Sequence, residues 1–221
     1  MKRSVSIAMA RALRYCVVLV GSAAVSLVAQ VPDPLFKLDA ASRFAVDATV
    51  DSAKALGLPW KFLLLRAQEG IAKGVDGRRI STAVKARFAS LKDARAVLGN
   101  VSDQELNAAA ALLETPGGRV RPEQLAPLKN QPKGRSLVSA LTVLGDLVTK
   151  GIPGEEASSA IVKLWQGGAG DADFMGLFRN VESDILQGLN PGTALQNRTR
   201  ESLGPSGKIP PSAGEPETPS P

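Results

Sequence analysis

Few residues of this 221-residue chain could do chemistry, and their types narrow that chemistry quickly. Histidine is absent, and the only cysteine and tyrosine are Cys16 and Tyr15. Past residue 29 the chain therefore has no imidazole, thiol or phenol. That removes Ser–His–Asp and Cys–His catalysis, thiolate or imidazole metal sites and any disulfide framework. Carboxylates and lysines remain for acid–base work. Glu69 is the first candidate, because helical spacing puts it on a face with Phe62 and Leu65. Partial burial there would raise its pKa toward that of a general acid, as in glycan-cleaving enzymes. The competing reading pairs Glu69 with Lys73, four residues on, in the orientation that steadies an exposed helix. The pair is the expectation, since no second carboxylate has an identifiable position opposite Glu69.

Asp171 and Asp173, in "GAGDAD", begin like a calcium loop. Met175 stands where the third oxygen ligand belongs and no glutamate closes the loop, so a helix cap is expected. "KGVDGR" (73–78) and "KGIPGE" (150–155) carry paired glycines that could cradle a phosphate. A phosphate loop follows a strand and places its lysine after the glycines; here the lysine comes first and both flanks read as helix. Trp60 and Trp165 could stack on a sugar or anchor a partner, but their helical spacing among aliphatic residues reads as core. No catalytic, cofactor-binding or metal-binding residue is assigned.

Helices must position all of these residues. Strand-type alternation is missing, aromatic residues make up only 4% of the chain, and alanine and leucine dominate, a composition that favours helix. One helix is expected from an Asp39 cap to about Leu56, with Val46, Val50 and Ala53 inward. The next spans "WKFLLLRAQEGIAK" and, being apolar on most sides early on, is expected to be central. A third runs from Asp76 to about Leu98. "SDQE" (102–105) matches the capping box, in which serine and glutamate satisfy each other's exposed backbone donors. Leu106, Ala109, Ala110 and Leu113 follow on one face. A short helix is expected near 122–128, then longer ones over 135–150, 153–166, after "GGAGDAD", and 191–203.

Setting residues 67–88 on 144–165, an offset of 150 − 73 = 77, matches more than glycines. Lys73, Gly74, Gly77, Ser81 and Ala83 meet Lys150, Gly151, Gly154, Ser158 and Ala160. The period is too long for a solenoid and points to an internal duplication, 60–98 and 135–170. The junctions at Gly57, Gly74, Gly118, Gly151 and Gly188 mostly follow one plan: a helix ends at glycine, an apolar residue folds back, and Pro or Asp opens the next helix. If the halves pack about a pseudo-twofold axis, Arg78 and Arg79 should face Glu155 and Glu156. The fold expected is all-α: a multi-helix bundle of two related helical-hairpin halves with Gly-apolar-Pro/Asp junctions, in one domain over 39–203.

Residues 1–29 read as a signal peptide. Lys2, Arg3, Arg11 and Arg14 precede "YCVVLVGSAAVSLVA", which is shorter than the roughly 20 residues of a membrane span. Leu27 and Ala29 offer a cleavage site before Gln30. Removal would lower the net charge from +6 to 23 − 21 = +2, so the basic character does not announce a nucleic-acid partner. Residues 30–38 read as an extended lead-in. Residues 204–221, rich in Pro, Gly, Ser and Glu, read as a disordered tail. The expected protein is exported to a periplasm or the cell exterior, where it is a non-enzymatic interaction or scaffold module for an unknown protein or envelope component. No nucleic acid, cofactor or metal is expected, and a membrane only if residues 15–29 remain as an anchor. The alternatives are a carboxylate-dependent, glycan-cleaving envelope enzyme using Glu69, and that N-terminally anchored helical protein.

Overall fold

Several helix starts in this chain are set by short polar side chains acting within three residues. Asp39 accepts the Ser42 N–H at 2.9 Å, Asp76 accepts the Arg78 N–H at 3.0 Å, and Asn190 accepts the Gly192 N–H at 3.0 Å. Each satisfies donors that the first helical turn leaves exposed. The computed structural model describes residues 35–115, 120–129 and 135–204. The expected signal peptide, residues 30–34, the Gly118 junction and the tail from residue 205 lie outside the described residues. From Leu35 onward these belong to one compact unit.

Among the described residues all regular structure is helical. The helices are α1 (Ala40–Ala55), α2 (Lys61–Ala72), α3 (Gly77–Leu98), α4 (Asp103–Leu113) and the short α5 (Pro122–Leu125) with a 3-10 turn over Ala126–Leu128. α6 (Val138–Thr149), α7 (Gly154–Gly167), α8 (Asp171–Leu186) and α9 (Pro191–Leu203) follow. The expected helix over 135–150 begins three residues late, because Arg135 is used elsewhere, as described below. α3 is the spine of the first half, with α1, α2 and α4 packed on it. α4 also packs on α6, which packs on α7 and α8, and α9 closes a ring by packing on both α7 and α8. α5 touches α3 and α7 and so joins the halves.

The centre of the core is α6 rather than α2. In α6 Ala140, Leu141, Val143, Leu144, Leu147 and Val148 are buried, whereas α2 buries only Leu63 and Ala67, and Leu65 is 56% exposed. α4, α7 and α8 surround α6, and its sequence carries one charge, Asp146. α2 carries Lys61, Arg66 and Glu69 and rests mainly on α3. The apolar run "FLLL" therefore thickens an outer helix.

The offset of 77 aligns the two hairpins at the level of their helices. Lys61 and Ala72 bound α2 as Val138 and Thr149 bound α6, and α3 and α7 start at Gly77 and Gly154. Gly74 and Gly151 both end a helix with positive φ, 68° and 88°, which a Cβ would disfavour. Ser81 and Ser158 are both buried, with hydroxyls donating to the carbonyls of Arg78 and Glu155. The surroundings differ. Val75 is 40% exposed where Ile152 is 1% exposed, and α3 is longer than α7. The expected facing of Arg78–Arg79 and Glu155–Glu156 is not found: among the described residues no ion pair joins them. Glu155 and Glu156 instead border α9.

Gly77 is held to glycine by tertiary contact. A Cβ there would lie 2.5 Å from Asp39 Oδ2, 2.6 Å from Ser42 Oγ and 2.9 Å from Ser42 Cβ. Gly77→Ala is expected to destabilise by about 1–3 kcal/mol, although alanine is the better helix former. A lowered urea midpoint would register this. An unchanged midpoint would mean that the start of α1 yields freely.

Candidate functional site

Helix ends bring α7 and α9 together side by side. Glu156 Oε2 lies 2.8 Å from where a Cβ of Gly192 would stand, so the first turns of the two helices touch. α7, α8 and α9 alternate in direction, and α9 therefore runs parallel to α7. Between them is an open trough of about 730 Å³, bordered at one end by Pro153 and at the other by Leu203. Ala160 and Leu195 form an apolar floor, and both are buried. Thr199, also buried, carries a hydroxyl with no hydrogen-bond partner.

The rim of this trough is charged and polarised. Glu155 and Glu156 stand at the end where both helices start, Lys163 and Arg200 toward the end where both finish. All four are exposed, and none makes an ion pair among the described residues. With a rise of 1.5 Å per residue, Glu156 and Lys163 are about 10 Å apart along the helix, too far to neutralise each other.

Several other charges of the fold are engaged in ion pairs. Arg87 Nε lies 2.7 Å from Glu114 Oε1, with the two side chains 12% and 18% exposed. The Nε–H does not point along that contact, so this is an ion pair without an aligned hydrogen bond. Burial lowers the Arg87 pKa and raises that of Glu114, with each partner opposing the other's shift. Lys150, at the end of α6, pairs with Glu182 of α8. Arg198 of α9 grips Asp184 of α8 through two hydrogen bonds of 2.7 Å.

The Asp184 pair has a pH signature. Hydrogen bonds from Arg198 hold the Asp184 pKa below its ordinary 3.8. A lowered folded pKa means that the stabilisation is present above the ordinary value and disappears as pH falls through the folded one. α9 amides are thus expected to lose hydrogen-exchange protection below about pH 4 before α6 amides do. Asp184→Asn should reproduce the loss at neutral pH. Equal protection of α9 and α6 throughout the acid range would refute it.

Glu69 is exposed and paired in this geometry. Its side chain is 46% exposed and is held by Lys73 at 2.5 Å and Arg66 at 3.1 Å. Those hydrogen bonds, Lys73 first, lower its pKa, whereas a general acid must keep its proton. The face it shares with Phe62 and Leu65 points largely to water. Asp173 caps α8 by accepting the Gly170 N–H at 2.8 Å, and no metal-holding cluster of acids occurs among the described residues. Trp165 is core; Trp60 is half-buried, with Lys54 and Lys61 against its ring. The trough itself escaped the sequence reading. Its walls are two helices 37 residues apart at their starts, and no local pattern says that α9 returns beside α7. Among the described residues no helix is long and apolar enough to cross a membrane.

No protein-family model, curated protein or solved structure matches this chain.

Proposed function

We propose that this chain is an exported, non-enzymatic interaction module whose α7–α9 trough receives a segment of a partner protein. The observation that carries this reading is the open trough with an apolar floor and four charges of both signs that make no ion pair among the described residues. Apolar floors with a few placed polar groups are the usual make-up of binding clefts. Unpaired rim charges add selectivity and speed of encounter more than affinity. Export rests on the basic start and the short apolar stretch of residues 1–29.

A photoreactive amino acid at Ser159, on the trough, tests the reading in cells against one at Lys85 on the outer face of α3. A discrete crosslinked partner from Ser159 alone is expected. No crosslink from Ser159, or identical ones from both positions, would refute the trough as the contact surface. Export is tested by intact mass, with cleavage after Ala29 predicting a chain that starts at Gln30.

A further inference from the structure

We infer that the segment received by the trough is an amphipathic helix lying antiparallel to α7 and α9, acidic in its first turn and basic in its last. This rests on the reading of the trough as a partner site and adds the chemistry of the partner.

Shape comes first. A volume of about 730 Å³ is close to that of two turns of a helix about 10 Å across. An extended peptide must find partners for its backbone N–H and C=O groups. Both walls here are helices, whose backbone groups bond internally, and they present no strand edge to extend. A helix brings its own backbone bonds and needs only an apolar stripe. Ala160, Leu195 and Leu203 offer that stripe a floor.

Charge then fixes direction. The Glu155–Glu156 end calls for cations, the Lys163–Arg200 end for anions, with about two turns between them. Helices tolerate acids best in the first turn and bases best in the last, because of the partial charges at their ends. A partner helix that meets both demands starts at the basic end of the trough, and so runs antiparallel to its walls. Its own end charges then oppose those of α7 and α9.

Two occupants closer to hand fit less well. Laid back from Leu203, the remaining chain would bring Lys208 to the basic end first and Glu215 and Glu217 toward the acidic end, like against like. A second copy related by a twofold axis would match charges, but would set trough against trough and leave both floors uncovered.

The test uses the full chain and two fluorescent peptides of about 14 residues, four helical turns. Both carry the same Leu/Ala stripe; one has Glu in the first turn and Lys in the last, the other has these exchanged. Anisotropy titration should give at least about tenfold tighter binding of the acid-first peptide, weakened by salt. The variant E155K/E156K/K163E/R200E, with an unchanged circular dichroism spectrum, should prefer the exchanged peptide. Equal affinities, no binding of either peptide, or a preference that survives rim reversal would overturn the inference. So would self-association by sedimentation that E155K/E156K abolishes, which assigns the trough to a second copy. Crosslinking from Ser159 together with a failed peptide preference removes only the partner's polarity; loss of the crosslink removes the binding reading as well.

Discussion

Replacing Glu105 with alanine is expected to destabilise the protein by about 3 kcal/mol, among the largest losses from any single polar side chain. Glu105 is 6% exposed and serves two helix starts. Its Oε2 accepts the Ser102 N–H and the Ser102 hydroxyl, each at 2.8 Å, at the start of α4. Its Oε1 accepts the buried Leu137 N–H at 2.8 Å, at the start of α6. Alanine leaves both backbone donors without that acceptor: the Leu137 N–H is buried, at about 1–3 kcal/mol, whereas Ser102 is exposed and loses about the 1 kcal/mol of a helix cap. Glutamine keeps the shape but has one oxygen for two jobs, and should lose roughly half as much. Ser102→Ala removes only part of the α4 cap and is expected to cost about 1 kcal/mol. Urea unfolding followed by circular dichroism measures all three. A loss at Glu105→Ala no larger than that at Ser102→Ala would mean that the link to α6 contributes nothing.

The two oxygens of Glu105 mark the boundary of what could be read from sequence. The capping box reaches three residues and appears in "SDQE" as a pattern; the bond to Leu137 spans 32 residues and leaves no local trace. The same boundary recurs elsewhere. Asp39, Asp76 and Asn190 act within a turn, and the helices they start were legible to within a residue or two. The glycine junctions were legible for the same reason: Gly57, Gly74, Gly151 and Gly188 all have positive φ. Periodicity marks which residues are apolar, not what covers them. It therefore placed α2 at the centre when α4, α7 and α8 instead enclose α6. It also left partial burial open for Glu69, on a face that points largely to water, beside the Glu69–Lys73 pair that was the expectation. The trough lies furthest beyond that limit. Lys163 and Arg200 look like ordinary surface cations until α9 is known to return parallel to α7.

The two tryptophans have similar sequence settings, and their replacement is expected to separate them sharply. Trp165 is 4% exposed, stacked on Phe174 with ring centroids 6.3 Å apart and an interplanar angle of 25°. The Arg135 guanidinium lies over its ring, 3.9 Å from the centroid. That guanidinium also donates to the Trp165 and Ala169 carbonyls, at the end of α7 and just past it. Trp165→Ala therefore opens a large cavity, unstacks Phe174 and frees Arg135, for an expected loss of about 3–5 kcal/mol. The indole Nε1 has no partner, so Trp165→Phe gives up volume but no hydrogen bond and should cost about 1–2 kcal/mol. Because Arg135 and Trp165 touch, their alanine variants should fall short of additivity by about 0.5 kcal/mol or more. Trp60 is half-buried at the edge of the core, with Lys54 and Lys61 at 5.1 and 5.9 Å from its ring. Trp60→Ala is accordingly expected to cost about 1 kcal/mol. Urea midpoints of these four single variants and of the Arg135→Ala/Trp165→Ala double decide the matter. Equal losses at Trp60 and Trp165 would mean that the layer of Arg135, Trp165 and Phe174 does not hold α7 to α8.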